Sequence, residues 1–247
     1  MQAVLERAIA AHGGMELFEA TERVAADLQI GGLALPLRFK RGALADYTGD
    51  VSTREPHAVL SPYPGEGKRG VFERDRVRIE SVDGEVLADR ADPRAAFGGR
   101  RNLWWDDLDL LYFAGYALWG YLCAPFIFTR EGFRVEDEEP WHEAGETWEG
   151  IRVTFPPDVP AHSREQSYWF GPDGLIRRND YTAEVFGGWA KAAHYCWDYR
   201  EFGGFMIPTR RKAMPRGPGR RPVRQIAMVS IAIDDVRPSA ASAQRYV

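Results

Sequence analysis

Proton-transfer chemistry needs a titratable side chain held beside another polar group, and this chain offers few places for it. Its histidines, His12, His57, His142, His162 and His194, are scattered. Only His162 and His194 fall in one predicted run of neighbouring strands, with Asp180 and Tyr181 between them in sequence. These four are the candidate catalytic residues, as base or acid. Gln166, Arg177, Arg178, Tyr195, Arg210 and Arg211 converge with them if adjacent strands align. A metal would need a third ligand, and Asp180 is the nearest by strand order. Three lone ligands on neighbouring strands arise readily by chance, so no metal site is expected. Strand phase decides which of these residues meet. On 190–202, Ala193, Tyr195, Trp197 and Tyr199 share one face while His194, Cys196, Asp198 and Arg200 share the other. The aromatic face is expected inward, which puts His194 outside unless a bulge intervenes. Arg178 and Asp180 then read as an ion-pair ladder on a wet face.

Other motifs fail on context. Gly65-Glu-Gly67-Lys-Arg-Gly70 fits G-x-G-x-x-G, but Pro62-Tyr63-Pro64 precedes it and an Arg-rich strand follows. Neither a buried strand before it nor a helix N-terminus after it is available to hold a pyrophosphate, so it reads as a loop between strands. His142-Glu143 lacks the second histidine of a zincin, and no nucleophile elbow or C-x-x-C pair occurs. Nicotinamide, flavin and nucleotide cofactors are expected to be absent. The basic run 210–224 has no acid, but Pro215, Gly217, Pro218, Gly219 and Pro222 mark its centre as a long hairpin loop. No aromatic residue interleaves for base stacking, so 214–222 is expected to be mobile and solvent-exposed, and nucleic acid is not an expected partner.

An apolar site has better support. Trp104, Trp105, Tyr112, Phe113, Tyr116, Trp119, Tyr121, Phe126 and Phe128 crowd into one short block. Aromatics in that number can line a pocket with a few polar anchors, although core filling explains most of them individually. The candidate ligand-binding residues are Trp104, Tyr112, Tyr116, Trp119, Tyr195 and Trp197, with Arg178 and Arg210 as polar anchors.

The elements that must position these residues follow from periodicity. Apolar side chains at Val4, Leu5, Ala8 and Ile9 predict a helix over 2–11, stopped by Gly13-Gly14, with a second short helix over 15–21. The period then changes to two. Strands are predicted at 23–30, 35–48, 51–60, 70–74, 76–81 and 84–88. A helical, aromatic-rich block at 103–128 interrupts them. Strands resume at 133–138, 147–155, 164–170, 174–183, 190–202, 206–213 and 225–236. Asp83-Gly84, Pro172-Asp173-Gly174 and Phe202-Gly203-Gly204 sit where hairpin turns are needed. Leu110 to Phe128 is uncharged throughout, about the length of a bilayer span. Its glycines, tyrosines and Pro125 favour instead a buried helix packed on a sheet, so no stable membrane span is expected.

Composition agrees with one large antiparallel domain over 1–247. The 247 residues are 45% hydrophobic and 28% charged with a net charge of −4, which excludes a disordered chain and gives no general pull toward nucleic acid. The N-terminal segment 1–7 carries charges where an export signal needs its apolar run, and Cys123 and Cys196 read as reduced, buried thiols. A cytoplasmic location is expected.

The segments Tyr168-Trp-Phe-Gly-Pro-Asp-Gly-Leu-Ile-Arg-Arg178 and Tyr199-Arg-Glu-Phe-Gly-Gly-Phe-Met-Ile-Pro208 carry a resemblance to the lipoprotein-carrier (LolA/LolB-like) superfamily. There a strand ends in an Asp-Gly hairpin, a Tyr…Gly…Pro strand pair follows, and a strand like Ile226 to Val236 closes the sheet. The N-terminal Ala-x-x-Ala-His-Gly-Gly-x-Glu piece also resembles distant bacterial members. The whole chain is similar to a little-characterised group of bacterial proteins of about this length, through Tyr116-Ala-Leu-Trp119, His162-Ser163, Arg178-Asn-Asp-Tyr181, His194-Tyr195 and Pro208-Thr-Arg-Arg211. The resemblance implies a curved half-barrel of about eleven antiparallel strands, closed by helices around an apolar interior. The chain departs from true carriers in lacking an export signal and a lipobox cysteine. Two readings stand: binding of an apolar or aromatic small molecule, and a cofactor-independent cyclase, isomerase or lyase working in the same cavity.

Overall fold

The computed structural model describes residues 3–240. Met1, Gln2 and residues 241–247 lie outside the described residues, and with them the first residue of the helix expected over 2–11. Two short helices open the chain, α1 (Ala3–Ala11) and α2 (Met15–Ala20). The first meander follows as β1 (Thr21–Gly31), β2 (Tyr47–Ser52), β3 (His57–Ser61), β4 (Lys68–Glu73), β5 (Arg76–Ser81) and β6 (Val86–Ala91). A long helix, α3 (Asp107–Cys123), separates it from β7 (Arg134–Glu143), β8 (Glu146–Thr154), β9 (Glu165–Phe170), β10 (Ile176–Thr182), β11 (Lys191–Phe202), β12 (Phe205–Pro215) and β13 (Val229–Ala240).

All thirteen strands belong to one open antiparallel sheet in the order β6-β5-β4-β3-β2-β1-β13-β12-β11-β10-β9-β8-β7. Each meander pairs sequential strands, and β1 with β13 joins the two halves. The edges are therefore β6 and β7. The strand expected over 35–48 is not one: Pro36–Arg38 forms a 3₁₀ turn, Phe39 is left-handed at φ 62°, and pairing starts only at Tyr47. A proline in a central strand would remove a ladder hydrogen bond, which is why this stretch leaves the sheet.

The sheet curves around α3, which packs on β2 to β5. Asp106 caps the helix: its carboxylate accepts from the Asp109 N–H at 2.9 Å, and the Asp109 carboxylate accepts from the Asp106 N–H at 3.1 Å. Arg90 and Arg101 pair with both carboxylates. The uncharged run of the sequence is thus a buried helix, with Leu110, Leu111, Tyr112, Tyr116 and Trp119 in the core. No helix among the described residues is long and apolar enough to cross a membrane. Contact between helix and sheet is closest at glycines, among them Gly70, where a Cβ would lie 2.5 Å from Leu111. A Cβ at Gly115 would lie 2.4 Å from Phe72, and one at Gly49 would lie 2.2 Å from Leu118.

Candidate functional site

Three of the four candidate catalytic residues meet on the concave face. His162 enters from the segment before β9 and stacks on Tyr181 of β10, ring centroids 4.0 Å apart and 6° from parallel. Its Nε2 lies 2.7 Å from the Tyr121 hydroxyl and its Nδ1 3.3 Å from that of Tyr116, both tyrosines coming from α3. A neutral imidazole has one N–H and one bare nitrogen, so it donates to one tyrosine and accepts from the other. The chain continues through the Tyr121 and Tyr181 hydroxyls, 3.4 Å apart, to His194 Nδ1, 3.4 Å from Tyr181. It ends there: His194 Nε2 is buried with no hydrogen-bond partner among the described residues. Burial holds His162 down to about 3 and His194 well below the usual imidazole range, and it raises the Tyr116, Tyr121 and Tyr181 hydroxyls. At neutral pH every member is uncharged.

A cavity of about 160 Å³ opens beside this chain. Phe113, Phe186, Ala213 and Met228 contribute apolar wall, while His162 and Tyr181 contribute polar edges. Trp189, itself exposed, also borders it. A second space of about 20 Å³, enough for a single water, lies between α3 and β1, β12 and β13, and Arg211 reaches it. Arg211 donates to the Tyr121 carbonyl at 3.0 Å and to Cys196 Sγ at 3.4 Å. Its Nε has no partner among the described residues.

No family model and no curated protein matches the chain. Solved structures do. A LolA superfamily protein from Nitrosomonas europaea aligns over 98% of this chain and 94% of its own, with a TM-score of 0.53 at 10% identity. A DUF1329 family protein from Desulfovibrio piger aligns over 99% of this chain and 95% of its own, with a TM-score of 0.52 at 11% identity. The chain has the LolA/LolB-like fold.

Within this LolA/LolB-like half-barrel the phase of β11 is opposite to the one expected from sequence. His194 and Cys196 of β11 share the concave side with Arg211 and Ala213 of β12, their register partners being Ala213 and Arg211 respectively. Tyr195, Trp197 and Arg210 point to the convex side. Trp197 is 45% exposed, and the Arg210 guanidinium reaches only the Thr209 carbonyl, at 3.4 Å. Neither lines the cavity. Trp104 does not either, being 64% exposed ahead of α3. Trp119 donates its indole N–H to the Ser52 carbonyl at 3.0 Å and fills core between α3 and β2. Tyr116 is fully buried in the hydrogen-bonded chain, and Tyr112 borders an outer cleft with Arg94.

Arg178 and Asp180 sit on the convex side of the LolA/LolB-like sheet, because they alternate with Tyr181 on β10. They are not on a wet face. Arg178 is completely buried and holds Asp180 through two bonds, Nε to Oδ1 at 2.7 Å and Nη2 to Oδ2 at 2.9 Å. Its guanidinium lies 4.2 Å from the Trp141 ring centroid and donates to the Tyr195 hydroxyl at 3.1 Å. The segment 214–222 covers this group, contrary to the expectation of a wholly exposed loop. Arg216 pairs with Asp180 at 2.8 Å, the Arg220 carbonyl accepts from Arg178 at 2.5 Å, and the Arg220 guanidinium reaches Glu138 at 3.3 Å. Tyr195 of β11 is thus partly buried on the outer side, under this loop and beside Trp148, which is why apolarity alone misassigned the inner face. Asp180 faces away from both histidines and cannot join them around a metal.

Proposed function

We propose that this protein binds a small apolar molecule, aromatic or lipid-like, between α3 and the sheet. The observation that carries the reading is the 160 Å³ cavity with apolar walls and a short polar edge at His162 and Tyr181. A space near 150 Å³ lined by apolar side chains accommodates a benzene-sized molecule. The apolar interior implied by the carrier resemblance points the same way. Cys123 and Cys196 are buried and unpaired, and burial pushes the Cys123 thiol up to about 12. Unreactive thiols of this kind suit the cytoplasm. Titration with toluene, followed by chemical-shift changes, should saturate at one equivalent. Ala213→Leu, which fills the cavity, should abolish saturation. Equal affinity in that variant, or no saturation in either protein, would refute the reading.

Catalysis without a cofactor is the second reading, favoured by the 2.7 Å contact of His162 with Tyr121. It ranks below binding because an efficient general base has a pKa near the working pH, and His162 at about 3 is far too weak. Were a reaction found, His162→Gln should abolish turnover while leaving toluene binding measurable.

A further inference from the structure

One buried cation at this cavity has no counterpart among the described residues. Arg38 ends the 3₁₀ turn Pro36–Arg38 and is only 3% exposed. Its guanidinium carbon lies 4.2 Å from the Phe186 ring centroid and 5.7 Å from that of Trp105. Among the described residues its side chain makes no hydrogen bond or ion pair, and Nε is buried without a partner. The other buried arginines among the described residues are tied to something polar: Arg178 to Asp180, and Arg211 to a carbonyl and a thiol. Burying an unpaired charge is costly, and native proteins seldom tolerate it without a use. Burial draws the Arg38 pKa down to about 10, which still leaves it charged at neutral pH.

Arg38 also borders the 160 Å³ cavity, and so do Lys191 and Arg216. No aspartate or glutamate does. Arg216 is engaged by Asp180, which leaves Arg38 and Lys191 as the cations without a carboxylate partner among the described residues. The rest of the lining is too apolar to satisfy a group with many acceptors, such as a phosphate. A carboxylate needs fewer donors, and a guanidinium presents two parallel N–H bonds that match it.

We propose that the ligand of this cavity is a small apolar acid, with a single ring or a short chain, whose carboxylate pairs with Arg38 while its apolar body lies against Phe113, Phe186 and Met228. The proposal rests on the binding reading above and adds to it the charge of the ligand and the residue that selects it.

The test is a calorimetric comparison of matched probes, benzoate against benzyl alcohol and hexanoate against hexanol, on the full chain and on Arg38→Gln. In the unsubstituted protein each acid should bind at least tenfold more tightly than its alcohol, as expected for a charge-assisted hydrogen bond. Arg38→Gln should remove that preference and leave the alcohols unchanged. Equal binding of acid and alcohol in the unsubstituted protein overturns the proposal while sparing the binding reading, which toluene tests separately. A preference that survives in Arg38→Gln also overturns it. Arg38→Met supplies a check without ligand. If Arg38 awaits an anion, removing its unpaired charge should hold or raise the thermal midpoint. A clear fall would mean that the arginine is structural, held by its two aromatic neighbours. Should Arg38→Gln fail to fold, the comparison of probes on the unsubstituted chain still decides.

Discussion

Strand β10 serves two polar assemblies, one on each side of the sheet, and they differ in completeness. On the convex side Arg178 and Asp180 form a closed circuit in which Arg216, Tyr195 and the Arg220 carbonyl take up further bonding capacity. On the concave side Tyr181 belongs to a chain of neutral rings that stops at His194 Nε2, with Arg211 Nε and Arg38 Nε also lacking partners among the described residues. The convex group is richer in charge and in sequence looks more like chemistry. The concave group is poorer, and it is the one with capacity left over for a ligand. Density of polar residues marks a place where the fold holds itself together; unfilled hydrogen-bonding capacity beside a cavity marks a place where something else can bind.

The largest expected effect concerns the concave side in acid. His162 and His194 are neutral in the folded protein, whereas an unfolded histidine takes up a proton below about pH 6.5. The unfolded state therefore binds more protons, and stability falls as pH falls. Between pH 7 and pH 4.5 the two rings together should cost about 5 kcal/mol. Urea midpoints at the two pH values measure this, and His162→Phe should recover about half of the loss. A flat stability profile would mean that the rings are accessible to water and the concave side is not the sealed environment described.

Next in size is Asp180→Asn. It leaves Arg178 and Arg216 without their carboxylate and should cost about 3 kcal/mol in urea unfolding. Toluene binding should be unchanged, because Asp180 faces away from the cavity. A loss of binding without a loss of stability would reverse the assignment of the two sides. Smaller still is Arg216→Ala, which leaves Asp180 its bidentate partner and should cost about 1 kcal/mol. Arg210→Ala, on the convex side with one long bond to a neighbouring carbonyl, should change stability by less than about 0.5 kcal/mol. Equal effects of the two would mean that the 214–222 segment contributes nothing.

Much of the architecture was legible in the sequence, because alternation and turn residues are local signals. Asp83-Gly84, Pro172-Asp173-Gly174 and Gly203-Gly204 each lie at a connection between paired strands, and the uncharged run of 110–128 contains the central helix. The site was legible only in part. His162, Tyr181 and His194 are together as candidates should be, yet the expected orientation of β11 was inverted. The convex side carries the larger apolar rings, Tyr195 and Trp197, while the concave side buries His194 and Cys196, so hydrophobicity pointed to the wrong side. Arg38 was missed because 35–48 read as a strand and an arginine there reads as solvated. The signal was present in Pro36 and Gly42, which a central strand would not accommodate. That the turn tucks its arginine under Phe186 depends on a residue some 150 positions away, which no local pattern carries.

An open sheet has ends, and the end at β7 bears on how this protein keeps to itself. Its sequence places four consecutive acids, Glu136 to Glu139, and Pro140 on a strand whose one neighbour among the described strands is β8. Bringing the same border of another molecule alongside would press the exposed Glu136, Asp137 and Glu139 together, and the proline would leave a gap in any ladder that formed. The border thus repels its own kind. Crowding along this border therefore meets charge before it meets hydrogen bonds, and strong salt or acid, which weaken that repulsion, are the conditions under which molecules should begin to associate along it.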